Sequence, residues 1–234
     1  MILYNEITEN YKIITENVNK AKSDFGINEE IRIMAVTKGI PYEKVNHAIS
    51  LGIDLLGENR AQEFLQKEPF YAKTTKNNEK PEIHFIGGLQ KNKVKYIIDK
   101  VSLIQSVDSE ELLAKINRQL AIFNLNIEAL IEVNIGSEWS KGGVSPDRLF
   151  ELLSFAEDIE RVRIRGLMAI PPIEAKEQVY ADMRELFETA KSQAAKPQVK
   201  YFDILSVGMS QDYITAIKHG ANLIRIGSAL FGGR

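Results

Sequence analysis

The stretch that decides the fold is Ile31-Arg32-Ile33-Met34-Ala35-Val36-Thr37-Lys38-Gly39. It is an apolar, β-branched run that ends in a lysine and a glycine, the pattern of a buried strand that carries one amine to the end of a sheet. Burial disfavours the ammonium form of a lysine and so favours the neutral amine that a Schiff-base lysine requires. The alternative is that its side chain only extends past the strand end into solvent.

The same pattern of a short apolar run, a turn and an amphipathic helix repeats along the chain. Eight strands alternating with eight helices, without a linker between them, predict an α/β fold: a single (β/α)8 TIM barrel over residues 1–234. Apolar residues that recur every three or four positions over residues 3–24 add an extra N-terminal helix. A doubly wound open sheet is the alternative. The later strands are predicted at residues 53–56, 83–86, 103–107, 127–135, 163–170, 202–207 and 223–226.

Composition excludes several classes of protein. Thirty basic and 32 acidic residues give a formal net charge of −2, which argues against nucleic acid and membrane surfaces as partners. The chain has no cysteine, and its three histidines are widely spaced, so a metal site is not expected. No window has the roughly 18 apolar residues that a membrane span needs, and the N-terminus does not have the pattern of a signal peptide. We therefore expect a cytoplasmic protein.

Two loops near the end of the chain have the residues of an anion site. Gly208-Met209-Ser210 follows the seventh strand and Gly227-Ser228 follows the eighth. Both can direct backbone N–H groups and a serine hydroxyl at a phosphate, and TIM barrels often bind phosphate in these two loops. The alternative is structural: Ser210 would be an ordinary helix N-cap and Gly227 only a turn residue.

Arg225 interrupts the otherwise apolar eighth strand. A buried guanidinium needs a partner, so Arg225 either pairs with a carboxylate or donates to a ligand. An amine at Lys38, an anion site in the last two loops and an arginine in the last strand together suggest pyridoxal 5′-phosphate (PLP) as the ligand.

Five segments carry a resemblance to a known family: Ala35-Val36-Thr37-Lys38, Gly57-Glu58-Asn59-Arg60, His84-Phe85-Ile86-Gly87-Gly88-Leu89-Gln90-Lys91-Asn92-Lys93, Leu205-Ser206-Val207-Gly208-Met209-Ser210-Gln211-Asp212 and Arg225-Ile226-Gly227-Ser228-Ala229-Leu230-Phe231-Gly232. They resemble the pyridoxal phosphate homeostasis proteins of the YggS/PROSC type, whose barrel is similar to the N-terminal domain of alanine racemase. The resemblance covers essentially the whole chain. Its small departures are Ile83, where an aromatic residue is common in the family, and Ser228, where threonine is frequent.

The resemblance implies a role for each candidate residue. Lys38 would carry PLP as an internal aldimine, and Arg225 would face the pyridine nitrogen. The phosphate would be held by Ser210, Gly227 and Ser228, with Met209 in the same loop. Four further residues would lie near the ring or its rim: Asn59, His84, Met168 and Ser206.

An arginine opposite the ring nitrogen keeps its proton, so the ring is a weaker electron sink than one paired with a carboxylate. The resemblance therefore implies a monomeric protein of PLP homeostasis that stores or delivers the cofactor, with PLP-dependent apo-enzymes as transient partners and no robust catalysis. The alternatives are a slow PLP-dependent amino-acid racemase or decarboxylase, which would need a second base that no segment here resembles, and a Schiff-base aldolase. An aldolase needs an acid or base near Lys38, for which the strand ends offer few carboxylates beyond Glu58 and Glu132.

Overall fold

The structure, a computed structural model, describes residues 2–136, 138, 142–193 and 201–233. Eight strands close into a barrel in chain order, which confirms the predicted TIM barrel. Neighbouring strands are parallel, as in β1 with β2 and β1 with β8. The strands are β1 Arg32–Val36, β2 Leu55–Glu58, β3 Glu82–Phe85, β4 Leu103–Val107, β5 Ile127–Val133, β6 Val162–Ala169, β7 Ile204–Ser206 and β8 Leu223–Ile226.

Helices alternate with the strands, and one further helix precedes β1, as predicted. Among the residues that the structure describes, short 3-10 helices at Glu68–Phe70 and Pro146–Arg148 add to them. Within the described part of the chain, no helix is long and apolar enough to cross a membrane. The helices are α1 Ile2–Phe25, α2 Tyr42–Ser50, α3 Ala61–Lys67, α4 Val94–Ile97, α5 Glu110–Phe123, α6 Leu149–Ala156, α7 Glu177–Gln193, α8 Tyr213–Lys218 and α9 Ser228–Phe231.

The contacts within the chain divide it into two compact units, Met1–His84 with Val207–Arg234, and Phe85–Ser206. In the first unit, α1 packs on α2, α8 and α9 through a buried stripe that includes Ile7, Ile14 and Val18. Burying each of these side chains stabilises the fold by roughly 1.5–3 kcal/mol. The single domain predicted for residues 1–234 stays a prediction.

In the second unit, β4, β5, β6 and β7 lie side by side, in parallel pairs. Gly166 in β6 has a φ of 150°, and a Cβ there would lie 1.9 Å from the Ile204 carbonyl oxygen. Glycine is therefore required for β7 to approach β6. Buried Leu103, Leu130 and Met168 form a hydrophobic cluster in this unit.

Several predicted boundaries are wrong by a few residues. β2 begins at Leu55 rather than residue 53, because the chain is still leaving α2 through Gly52, whose φ is 109°. β5 ends at Val133 rather than residue 135, and β7 is limited to Ile204–Ser206. α4 is limited to Val94–Ile97, because turn bonds such as Lys93 N–H to Gln90 O replace helical bonds before it.

Candidate functional site

Eight of the ten candidate residues belong to the first unit, and six of these follow the end of a strand by four residues or fewer. Lys38 lies two residues beyond β1, Asn59 follows β2, and Gly227 follows β8. Because β1 pairs in parallel with both β2 and β8, the carboxyl ends of these three strands lie at one edge of the sheet. Gly227 lies against Val36, since a Cβ built on it would be 3.6 Å from the Val36 Cβ.

The backbone on both sides of Lys38 is held by side chains of α3. Lys67 Nζ donates to the Thr37 carbonyl oxygen at 2.8 Å, and the Gly39 N–H donates to Glu63 Oε1 at 2.6 Å. Lys67 and Glu63 also form an ion pair of 2.9 Å within α3. The half-buried Lys38 therefore follows a strand end that is fixed to the neighbouring helix.

Next to this segment, Glu58 is the centre of a buried polar network. Its Oε1 accepts hydrogen bonds from the Thr37 hydroxyl at 2.6 Å and from the Tyr71 hydroxyl, and Lys67 Nζ lies 3.4 Å away. Burial, and then the Glu58 carboxylate, raise the pKa of Tyr71, so its hydroxyl keeps its proton and donates. Glu58 is thus engaged with the helix side of the sheet, which disfavours it as an acid or base for chemistry at Lys38.

Ser210 joins the two loops of the predicted anion site. Its Oγ accepts the backbone N–H groups of Gly227 at 3.3 Å and Ala229 at 3.1 Å. The residue at the N-cap of α8 is Asp212, so the hydroxyl of Ser210 faces the β8 loop instead of capping that helix. The loops after β7 and β8 are therefore brought together around one hydroxyl and two amides.

Gly208 explains how the β7 loop makes this turn. Its φ is 99°, and a Cβ would lie 2.6 Å from the Ala216 Cβ, so only glycine fits. Its carbonyl oxygen accepts the Arg225 N–H at 3.0 Å, which ties the loop to β8. Met209 follows with its side chain partly exposed and its N–H donated to Asp212 Oδ1, while Ser228 is exposed at the start of α9.

Arg225 and Asn59 place polar groups in this first unit. Arg225 is only 4% exposed, and its register partner in β1 is Met34. The Asn59 Oδ1 atom is buried and has no hydrogen-bond partner among the described residues. A buried acceptor without a donor is unfavourable, so this atom is available to a donor from a ligand.

His84 contacts a carboxylate of its own strand. It is fully buried in β3, and its Nε2 lies 2.7 Å from Glu82 Oε1, whose other oxygen pairs with Arg32 at 2.6 Å. Burial raises the pKa of Glu82, but the hydrogen bonds from His84 and Arg32 outweigh this effect and lower it to about 2. Since Glu82 and Arg32 begin their strands, this bond of His84 points to the amino ends of the strands.

Met168 and Ser206 lie in the second unit, where they are register partners in β6 and β7. Met168 is fully buried among Leu103 and Leu130. The buried Ser206 hydroxyl donates to Gln105 Oε1 at 2.7 Å. Sequence reasoning missed Gln105, although a polar residue inside an apolar strand was a visible signal.

The comparisons with known proteins identify the family and the fold of this chain. A family model described as the alanine racemase N-terminal domain matches residues 10–234. The pyridoxal phosphate homeostasis protein of Aquifex aeolicus (strain VF5) is 39% identical, and the match covers 94% of this chain and 95% of that protein. The protein of the same name from Pasteurella multocida (strain Pm70) is 33% identical, with 97% of each chain covered.

Among solved structures, PipY of Synechococcus elongatus PCC7942 with PLP bound matches with a TM-score of 0.80 and 26% identity, covering 97% of this chain and 100% of that one. The strand order, the family model and the near full-length relatives lead to the same assignment. The chain therefore belongs to the pyridoxal phosphate homeostasis protein family, which has the barrel of the alanine racemase N-terminal domain.

Proposed function

We propose that this chain binds PLP covalently through Lys38 and holds it for release, as a protein of intracellular vitamin B6 homeostasis. When bound, PLP supplies an aldehyde that condenses with a lysine amine and a ring that withdraws electrons. The observation that carries the proposal is the meeting of three strand ends. Ser210 connects the loops after β7 and β8, and Gly227 lies against Val36, two residues before Lys38.

The residues present fit the polar parts of the cofactor. Lys38 offers the amine, and the Ser210 hydroxyl, whose oxygen accepts the Gly227 and Ala229 N–H groups, offers its own proton to a phosphate. Arg225 offers a permanently charged donor for a ring nitrogen. The orphaned Asn59 Oδ1 offers an acceptor that no described residue satisfies. For His84, Met168 and Ser206, a place near the cofactor is implied by the family resemblance alone.

The same residues argue against efficient catalysis. The pKa of an arginine lies above about 12, so Arg225 donates a hydrogen bond without giving up its proton and favours a ring that withdraws electrons weakly. Of the two carboxylates considered for an aldolase, Glu58 already accepts from Thr37 and Tyr71. Glu58 is therefore disfavoured as the residue that would move protons on a substrate at Lys38.

The proposal has further parts that follow from the sequence. We expect a monomer in the cytoplasm that transfers PLP during transient contact with apo-enzymes and that has no nucleic acid or membrane partner. Release of PLP must remain possible. Attachment through one amine allows it, because the condensation of an amine with an aldehyde is reversed by water.

Titration of the purified protein with PLP, followed by absorption, tests the proposal. We expect the wild type and Lys12→Ala, which removes an exposed lysine on α1, to develop the same visible band, and Lys38→Ala to develop none. Incubation with amino acids in deuterated water should give no Lys38-dependent exchange at the α carbon. A full visible band in Lys38→Ala, or rapid α exchange in the wild type, would contradict the proposal.

A further inference from the structure

Two side chains of α3 hold the two peptide groups that flank the Cα atom of Lys38. The Thr37 carbonyl belongs to the peptide group before this Cα, and the Gly39 N–H belongs to the peptide group after it. Lys67 donates to the first at 2.8 Å, and Glu63 accepts from the second at 2.6 Å. Because peptide groups are planar, fixing both of them fixes φ and ψ of Lys38 and with them the direction of its Cα–Cβ bond.

The remaining contacts of Thr37 further restrict the backbone next to Lys38. Its N–H donates to the Gly57 carbonyl of β2 at 3.1 Å, and its hydroxyl donates to Glu58 at 2.6 Å. The Thr37 carbonyl also accepts the Ile40 N–H at 2.9 Å, which closes a turn around Lys38.

The side chain of Lys67 is restricted by burial and by its acceptors. Its residue is only 9% exposed, and its ammonium lies within 3.4 Å of three acceptors: the Thr37 carbonyl, Glu63 and Glu58. A buried ammonium is unfavourable unless it is paired and hydrogen-bonded, so loss of the Thr37 contact would leave it partly unsatisfied. The positions of Lys67 and of the segment 37–39 are therefore mutually dependent.

We infer that Lys67 and Glu63 are positioning residues that set the orientation of the Lys38 amine for reaction with an aldehyde. This inference rests on the proposed function and deepens it. Neither residue needs to touch the cofactor. Their effect is on how fast a correctly oriented amine meets the aldehyde, because orientation is a large part of the rate of such a reaction.

The test uses three variants of the full chain. Lys67→Met removes the ammonium but keeps the length of the side chain, and Glu63→Ala removes the acceptor of the Gly39 N–H at a partly exposed position. Arg165→Met is the matched control, because it removes a partly buried cation that pairs with Glu128 and Asp203 in the second unit. Thermal unfolding of each variant shows whether any loss of stability is comparable.

Two rates are measured. The first is loading of PLP, which we expect to be roughly tenfold slower in Lys67→Met and Glu63→Ala, the effect of losing one charge-assisted hydrogen bond that orients the amine. The second is labelling of Lys38 by acetic anhydride in protein free of PLP, relative to exposed Lys12, measured by mass spectrometry. We expect this ratio to move towards one in both variants and to keep its wild-type value in Arg165→Met.

The outcomes separate the inference about Lys67 and Glu63 from the proposed function. Unchanged loading and labelling in Lys67→Met and Glu63→Ala would overturn the inference, and so would equal changes in Arg165→Met at the same loss of stability. If the wild type takes up no PLP, the proposed function fails, whereas the labelling ratio still shows whether Lys67 and Glu63 position Lys38.

Discussion

The substitution Tyr71→Phe tests the buried network beside Lys38. The Tyr71 hydroxyl donates to Glu58 Oε1, and both residues are buried. Removing the hydroxyl leaves a buried carboxylate with one donor fewer, and a hydrogen bond to a charged group contributes about 1.5–3 kcal/mol. We therefore expect the free energy of unfolding to fall by about 2 kcal/mol. For a chain of 234 residues, this corresponds to a Tm lower by about 4–8 °C.

Urea unfolding at neutral pH, followed by circular dichroism, measures this change. Tyr42→Phe is the matched control, because it removes a hydroxyl beside Glu43 that is accessible to solvent, and it should change the free energy of unfolding by less than about 0.5 kcal/mol. Since burial and the Glu58 carboxylate raise the pKa of Tyr71, the difference between wild type and Tyr71→Phe should persist up to about pH 9. Equal losses in the two variants would refute the reasoning.

Three further predictions concern the loops and the barrel. Gly208→Ala should lower the free energy of unfolding by about 2 kcal/mol or more in the same urea assay, because the positive φ and the contact with Ala216 both oppose a Cβ. Gly88→Ala, with open space around it, is the control and should leave the free energy of unfolding nearly unchanged. Hydrogen bonds lower the pKa of Glu82 to about 2 from an ordinary 4.5, so its charge stabilises the fold above about pH 4.5, and this contribution is lost as the pH falls towards 2. Glu82→Gln should therefore flatten the dependence of Tm on pH between these values. An unchanged slope would contradict the ion pairing of Glu82. Ser210→Ala should weaken PLP binding roughly tenfold in an equilibrium titration, since one donor to the phosphate is lost. Ser23→Ala, at an exposed position, should bind like the wild type, and equal affinities for all three proteins would remove Ser210 from the site.

The barrel could be predicted because local patterns determine it. Most residues of the parallel strands are buried, so a strand stands out as an apolar run. Glycines such as Gly52 and Gly220 mark the ends of helices through positive φ values. The boundaries could not be predicted as well, because hydrogen bonds to other elements decide them. β5 ends at Val133, for example, where the next residue, Asn134, bonds to the distant Val144.

For the candidate site, the sequence predicted the loops but not their supports. Ser210 and Gly227 were found because glycine and serine after a strand have a recognisable chemistry, and the structure brings them together. Lys67 and Tyr71 were missed. In the sequence, Lys67 resembles any surface lysine of an amphipathic helix. Its burial depends on contacts with Glu58 and Thr37, which lie outside this helix and which the spacing of residues does not reveal.

The contacts of His84 could not be predicted from the sequence. A histidine at the end of a strand indicates a ligand as readily as a structural partner, and only the packing reveals its bond to Glu82. The partner lies two positions earlier on the same face of the strand, but the sequence does not show which end of the barrel the ring faces.

The most direct test of the account is to identify the residue that carries the cofactor. The protein is loaded with PLP, reduced with borohydride, digested and mapped by mass spectrometry. The account predicts one modified site, Lys38, in the wild type and no modification at that position or elsewhere in Lys38→Ala. Stoichiometric modification of another lysine, with Lys38 unmodified, would contradict it.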